Sequence, residues 1–95
     1  MNNETKELIK RCDRYIAVYN KYLHLTGDES ERRLSQDART LKGLLEMGQV
    51  FTVIDGETPG FSRVKIDGAG PDFLLMLAPD LGRLEAEHKQ SRDDG

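Results

Sequence analysis

From Asn3 to Leu25 the apolar residues recur at helical spacing: Leu8, Cys12, Tyr15, Tyr19 and Tyr22 step by four, three, four and three. Ile9, Ile16 and Leu23 lie beside them at intervals of seven, so the segment reads as one amphipathic helix with a wide apolar stripe. Asn2 or Asn3 supplies an N-cap, Glu4 and Glu7 suit the positive end of the helix dipole, and Gly27 marks the end. A second helix is predicted over "GDESERRLSQDARTLKGLLEMG", where Leu34, Ala38, Leu41 and Leu45 step by four, three and four. Asp28 followed by Glu31 forms a capping box with Asp in the usual Ser or Thr place, and Gly48 is the stop. Gly43 inside this helix costs about 1 kcal/mol relative to Ala, which points to a close approach by a neighbouring helix. The short connection predicts an antiparallel helical hairpin.

Beyond Gly48 the period changes from helical to alternating. "QVFTVID" is rich in β-branched and aromatic residues, and "FSRVKID" alternates Val64 and Ile66 with Arg63 and Lys65. A twelve-residue echo runs through this half: "IDGETPGF" from Ile54 to Phe61 returns as "IDGAGPDF" from Ile66 to Phe73. Each unit reads as a strand ending in Ile-Asp-Gly, a Gly/Pro turn, and a Phe opening the next strand. In that register "FLLML", Phe73 to Leu77, is a third strand, although five apolar residues by themselves also suit a helix. Pro79 after Ala78 fits the first turn of a final helix, "PDLGRLEAEHKQ". The expectation is an α+β fold of order α-α-β-β-β-α: a helical hairpin packed on a three-stranded antiparallel β-meander, closed by a C-terminal helix. Residues 1–90 form one small domain, and 91–95 a disordered tail.

The repeat raises the question of a ligand site and answers it structurally. With strands of five or six residues, the two turns fall at opposite ends of the sheet, and Asp55 and Asp67 stand about 17–20 Å apart. One metal ion cannot bridge them, and neither loop has calcium-loop spacing or a phosphate-cradling glycine pattern.

Composition narrows the picture further. The chain of 95 residues is 37% hydrophobic and 33% charged with net charge −3, which supports a thin core and no strong electrostatic steering. Cys12 is the single cysteine, so neither an internal disulfide nor a thiolate zinc cluster is available. No apolar run approaches a membrane span, and "MNNETKELIK" lacks a signal-peptide core, so a cytoplasmic protein without membrane attachment is expected.

Candidate chemistry is sparse. Cys12 lies on the apolar stripe, where a thiol acts as a small hydrophobe. His24 and His88 fall near predicted helix ends, where positive charge is favoured. No nucleophile-elbow, zinc-protease, P-loop or dinucleotide motif occurs, and no enzyme, cofactor or metal site is expected. The strongest feature is the tyrosine cluster: Tyr15, Tyr19 and Tyr22, with Leu8 and Ile16, on one face of one helix. Tyrosines offer large apolar area with a hydroxyl that tolerates a wet rim. A helix of about 23 residues is about 34 Å long, long against the radius of gyration of about 12 Å expected for a compact domain of this size. The sequence therefore predicts a non-enzymatic protein-interaction module, a regulator, adaptor or inhibitor, forming a homodimer or docking another protein through this face. The alternative is nucleic-acid binding, with Lys10, Arg14, Arg32, Arg33 and Arg39 as phosphate contacts. Against it, acidic residues are interleaved in pairs such as Glu7–Arg11, and a winged-helix arrangement would need a third helix before the hairpin.

Overall fold

Asn2 opens the first helix as an N-cap, its side-chain oxygen accepting from the Thr5 N–H at 2.8 Å. In this computed structural model, which describes residues 2–68, 70 and 72–93, the helix α1 (Asn3–Val18) does not simply run on to Gly27. It widens into a π turn (Tyr19–Leu23) and ends in one further α turn, α2 (His24–Thr26). These three segments form a continuous rod. A π turn closes its hydrogen bonds over one extra residue, so the inward face is shifted by one position. Leu8, Cys12, Tyr15 and Val18 point inward, and the next buried residue is Leu23, five positions later. Tyr19 and Tyr22, expected at the centre of the stripe, are moved to its half-buried flanks.

Gly27 terminates the rod by donating to the Leu23 carbonyl. Its backbone is not left-handed; glycine is needed because a Cβ would collide with that same oxygen. The next helix, α3 (Glu29–Glu46), starts with the predicted capping box: Asp28 accepts from the Glu31 N–H at 3.0 Å, and Glu31 accepts from the Asp28 N–H at 3.2 Å. It ends in a Schellman arrangement, with Gly48 at φ 82° donating to Leu45 and Gln49 donating to Leu44. Gly43 differs from expectation: a Cβ there would have nothing within 4 Å, so no close helix approach explains it.

The sheet is an antiparallel meander of β1 (Phe51–Thr58), β2 (Phe61–Ile66) and β3 (Asp72–Met76), in spatial order β1-β2-β3. "FLLML" thus lies on a strand down to Met76. The two repeat units are not equivalent, which corrects the sequence reading. Pro59-Gly60, with Gly60 at φ 84°, forms a two-residue turn between the paired Thr58 and Phe61. The strand therefore continues past Ile54-Asp55-Gly56, and the register shift between Asp55 and Thr58 is absorbed as a bulge with Gly56 at φ 93°. In the second unit Asp67-Gly68 does mark the strand end.

Alternation puts Phe51 and Val53, Ser62, Val64 and Ile66, and Phe73 and Leu75 on one face of the sheet. That face meets Leu8 and Cys12 of α1 and Ala38, Leu41 and Leu45 of α3 in the main core. A second cluster covers the far half of the rod: Tyr15, Val18 and Leu23 pack with Leu81 of the last helix, α4 (Ala78–Asp93). The order is helix-helix-strand-strand-strand-helix, an α+β fold. Its principal extents are 46 × 26 × 25 Å. The last helix continues to Asp93, three residues past the predicted end, and residues 94 and 95 of the expected tail lie outside the described residues. Among the described residues no helix is long and apolar enough to cross a membrane.

Candidate interaction surface

The structure distributes the tyrosine cluster among different tasks. Tyr15 is 2% exposed, and its hydroxyl donates to the Glu31 carbonyl at 3.3 Å, tying α1 to the start of α3. Burial pushes its pKa up to about 12. Tyr19 packs at the edge of the second cluster, beside the π turn, where its carbonyl faces His24 Nδ1 at 3.3 Å. Tyr22 stacks on His88 of α4, with centroids 5.0 Å apart and planes 10° from parallel. Leu8 is buried and Ile16 half-buried against the main core. The face expected to dock a partner is therefore largely covered by α3, α4 and the sheet. The two histidines, expected as surface residues, both come to the π-turn end of the rod, each engaged with a different tyrosine.

The predicted phosphate contacts are likewise dispersed. Arg14 pairs with Glu85 of α4 at 2.6 Å, Arg32 with Glu29 at 2.7 Å, and Arg39 donates to Asn20 at 2.9 Å. Lys10 and Arg33 are exposed on different helices. Arg11, read from the sequence as a surface partner of Glu7, instead turns inward. Its Nε donates to the Met76 carbonyl at 3.0 Å, and its Nη2 to the Leu75 carbonyl at 3.1 Å and Ser62 Oγ at 2.9 Å. Ser62, fully buried, passes its own hydroxyl proton toward Asp55. Burial lowers the Arg11 pKa, opposed by the field of Asp55. Cys12 beside it is fully buried and its thiol is pushed up to about 12, chiefly by burial.

This network has a consequence for the sheet. In an antiparallel ladder the residues of an edge strand alternate between bonding inward and pointing their backbone groups outward. The pairing of Asp67 N–H with the Val50 carbonyl fixes the phase on β1: Thr52 and Ile54 bond to β2, while Phe51, Val53 and Asp55 point outward. By the same phase Asp72, Leu74 and Met76 are the outward residues of β3. On β3 the outward Met76 carbonyl is met by a side chain, Arg11. Burial raises the Asp37 pKa, and Arg33 and the Leu74 N–H hold it down in part. On β1, among the described residues, the outward N–H and C=O groups of Phe51, Val53 and Asp55 have no such partners. One edge is capped by a side chain at Met76, and the other carries no such cap.

Beside the start of the open edge lies a groove of about 500 Å³ whose lining includes Glu4, Leu45, Glu46, Met47, Val50 and Phe51. Met47 and Val50 are 72% and 65% exposed, two of the three exposed large hydrophobic residues among those described; the third, Leu25 at 75%, stands at the far end of the rod. Sequence reasoning missed this corner because Met47 and Val50 belong to a loop with no periodicity. Arg11 and Ser62 did leave a signal: Arg11 sits three residues after Leu8 on the flank of the stripe, and Ser62 is in phase with the buried Val64 and Ile66. Among the described residues no three of His, Cys, Asp and Glu gather as a metal site. Comparison with known proteins finds no matching family model, curated protein or solved structure.

Proposed function

We propose that this chain is a non-enzymatic protein-interaction module whose contact surface is the open edge of β1 with the adjoining Met47–Val50 corner. The observation carrying this reading is the asymmetry of the sheet: Arg11 of α1 caps the β3 edge at Met76, whereas Val50 to Ile54 presents an uncharged, proline-free edge with unpaired backbone groups. Natural proteins usually blunt such edges, and here only the distal half of β1 is blunted, by its bulge and Pro59. The tyrosine face is the weaker surface, because Tyr15, Tyr19 and Tyr22 already pack against their own chain. Nucleic-acid binding is weaker still, since Arg14, Arg32 and Arg39 are engaged within the protein.

Affinity capture from host extract with wild type, a Met47→Lys/Val50→Lys double variant and a Tyr22→Ala variant tests the reading. A specific protein retained by wild type and Tyr22→Ala, and lost by the double variant, is the expected outcome. Retention lost only with Tyr22→Ala would return the surface to the tyrosine face. A mobility shift of nucleic acid at low salt would favour the second reading, because phosphate contacts are strongest there.

A further inference from the structure

We propose that the open β1 edge is a strand-addition site whose occupant is an extended, basic segment of another protein, adding a fourth strand beside Phe51, Val53 and Asp55. This inference deepens the interaction-module reading and rests on it. The backbone groups specify the conformation of the occupant, because only an extended chain can meet a row of alternating N–H and C=O groups. Its charge follows from the surroundings. From Gly43 to Ser62 the charged residues are Glu46, Asp55 and Glu57; Glu57 pairs with Arg63 of β2 at 2.8 Å and Asp55 accepts from Ser62, which leaves Glu46 as the carboxylate nearest the start of the edge. The groove beside Val50 and Phe51 adds Glu4, so two carboxylates stand over an apolar floor of Leu45, Met47 and Phe51.

That combination suits the stem and head of a lysine or arginine, whose methylenes lie on apolar surface while the cation meets carboxylates. A second copy of this chain is the poorer occupant. Its segment from Gly43 to Ser62 would bring another Glu46 to the same groove, again without a basic residue of its own. The bulge beyond Asp55 limits pairing to about five residues, so the recognised element is short.

The test is an amide NMR titration of the full-length ¹⁵N-labelled protein with three synthetic peptides: acetyl-KVTVKVK-amide, its Glu-for-Lys counterpart, and a version with Pro at the central Val. The basic peptide is expected to shift the Phe51, Val53 and Asp55 amides and slow their hydrogen exchange. The acidic and Pro peptides should bind at least 10-fold more weakly, as should the basic peptide to a Glu4→Gln/Glu46→Gln variant. Equal binding of the basic and acidic peptides would overturn the charge argument. Binding that leaves the three amides unchanged would overturn strand addition. Dimers in light scattering with those amides protected before any peptide is added would assign the edge to a second copy and overturn the proposal. If no peptide binds while the Met47→Lys/Val50→Lys variant still loses its captured partner, strand addition fails and the interaction-module reading stands. If capture fails as well, both fall.

Discussion

Gly27 and Gly43 show how differently one residue type is used in neighbouring helical segments. A methyl at Gly27 would strike the Leu23 carbonyl, a backbone atom that cannot yield without opening the π turn. Gly27→Ala is therefore expected to lower stability by about 1–3 kcal/mol, the usual cost of overpacking, read from the urea midpoint. Gly43→Ala meets open space on a helix and should raise stability by about 1 kcal/mol in the same assay. Spacing in the sequence marked one glycine as a stop and the other as an interior anomaly, but only the three-dimensional surroundings reverse the expected contact at Gly43. Cys12 gives a further test at this scale. Its fully buried thiol, with pKa pushed up to about 12, should react with a disulfide reagent only as fast as the protein unfolds. Reaction at a free-thiol rate in native buffer would show that the site opens locally.

At the scale of elements, α1 and α3 were legible because their caps and apolar periods are local. Asn2, Asp28, Glu31 and Gly48 all take the roles their positions imply. The π turn was not legible. Continuous 3.6-residue periodicity predicts Tyr19 and Tyr22 at the centre of the stripe, whereas the packing of Val18 and Leu23 against Leu81 selects the wider turn. The twelve-residue echo predicted three strands but not the unequal use of its two units, because a bulge depends on the partner strand. Arg11 joins α1 to β2 and β3 through three hydrogen bonds. Arg11→Met keeps much of the stem but leaves the carbonyls of Leu75 and Met76 without that donor. A loss of about 2–3 kcal/mol is expected from removing charge-assisted bonds of this kind, with faster amide exchange in β3. Unchanged β3 exchange would mean that the edge is not held by this side chain.

For the whole molecule, the acid response should reveal opposing carboxylates. Arg14 holds Glu85 below its ordinary pKa of 4.5, and the α3 cap holds Asp28 below 3.8. Their folded forms bind protons less readily than the unfolded chain, so the stability they contribute is present above those ordinary values and is lost as pH falls through the lowered ones. Asp37 runs the other way, since burial raises its pKa and protonation favours the folded state. Urea midpoints measured from pH 6 to pH 2.5 (about the range spanned by these groups) should decline on acidification. The decline should be shallower for Glu85→Gln and steeper for Asp37→Asn. The same slopes in all three proteins would contradict these couplings.

By itself the sequence determined the number and order of the elements, their caps and the helix-to-strand change of period, because those depend on interactions within a few residues. The tertiary structure alone decided which surface remains available. Covering of the tyrosines required α4 to pack against the rod, and capping of the β3 edge at Met76 required Arg11 to meet a carbonyl 65 residues away. Such contacts join positions whose spacing along the chain carries no period, so the free edge of β1 becomes visible only once the fold is assembled.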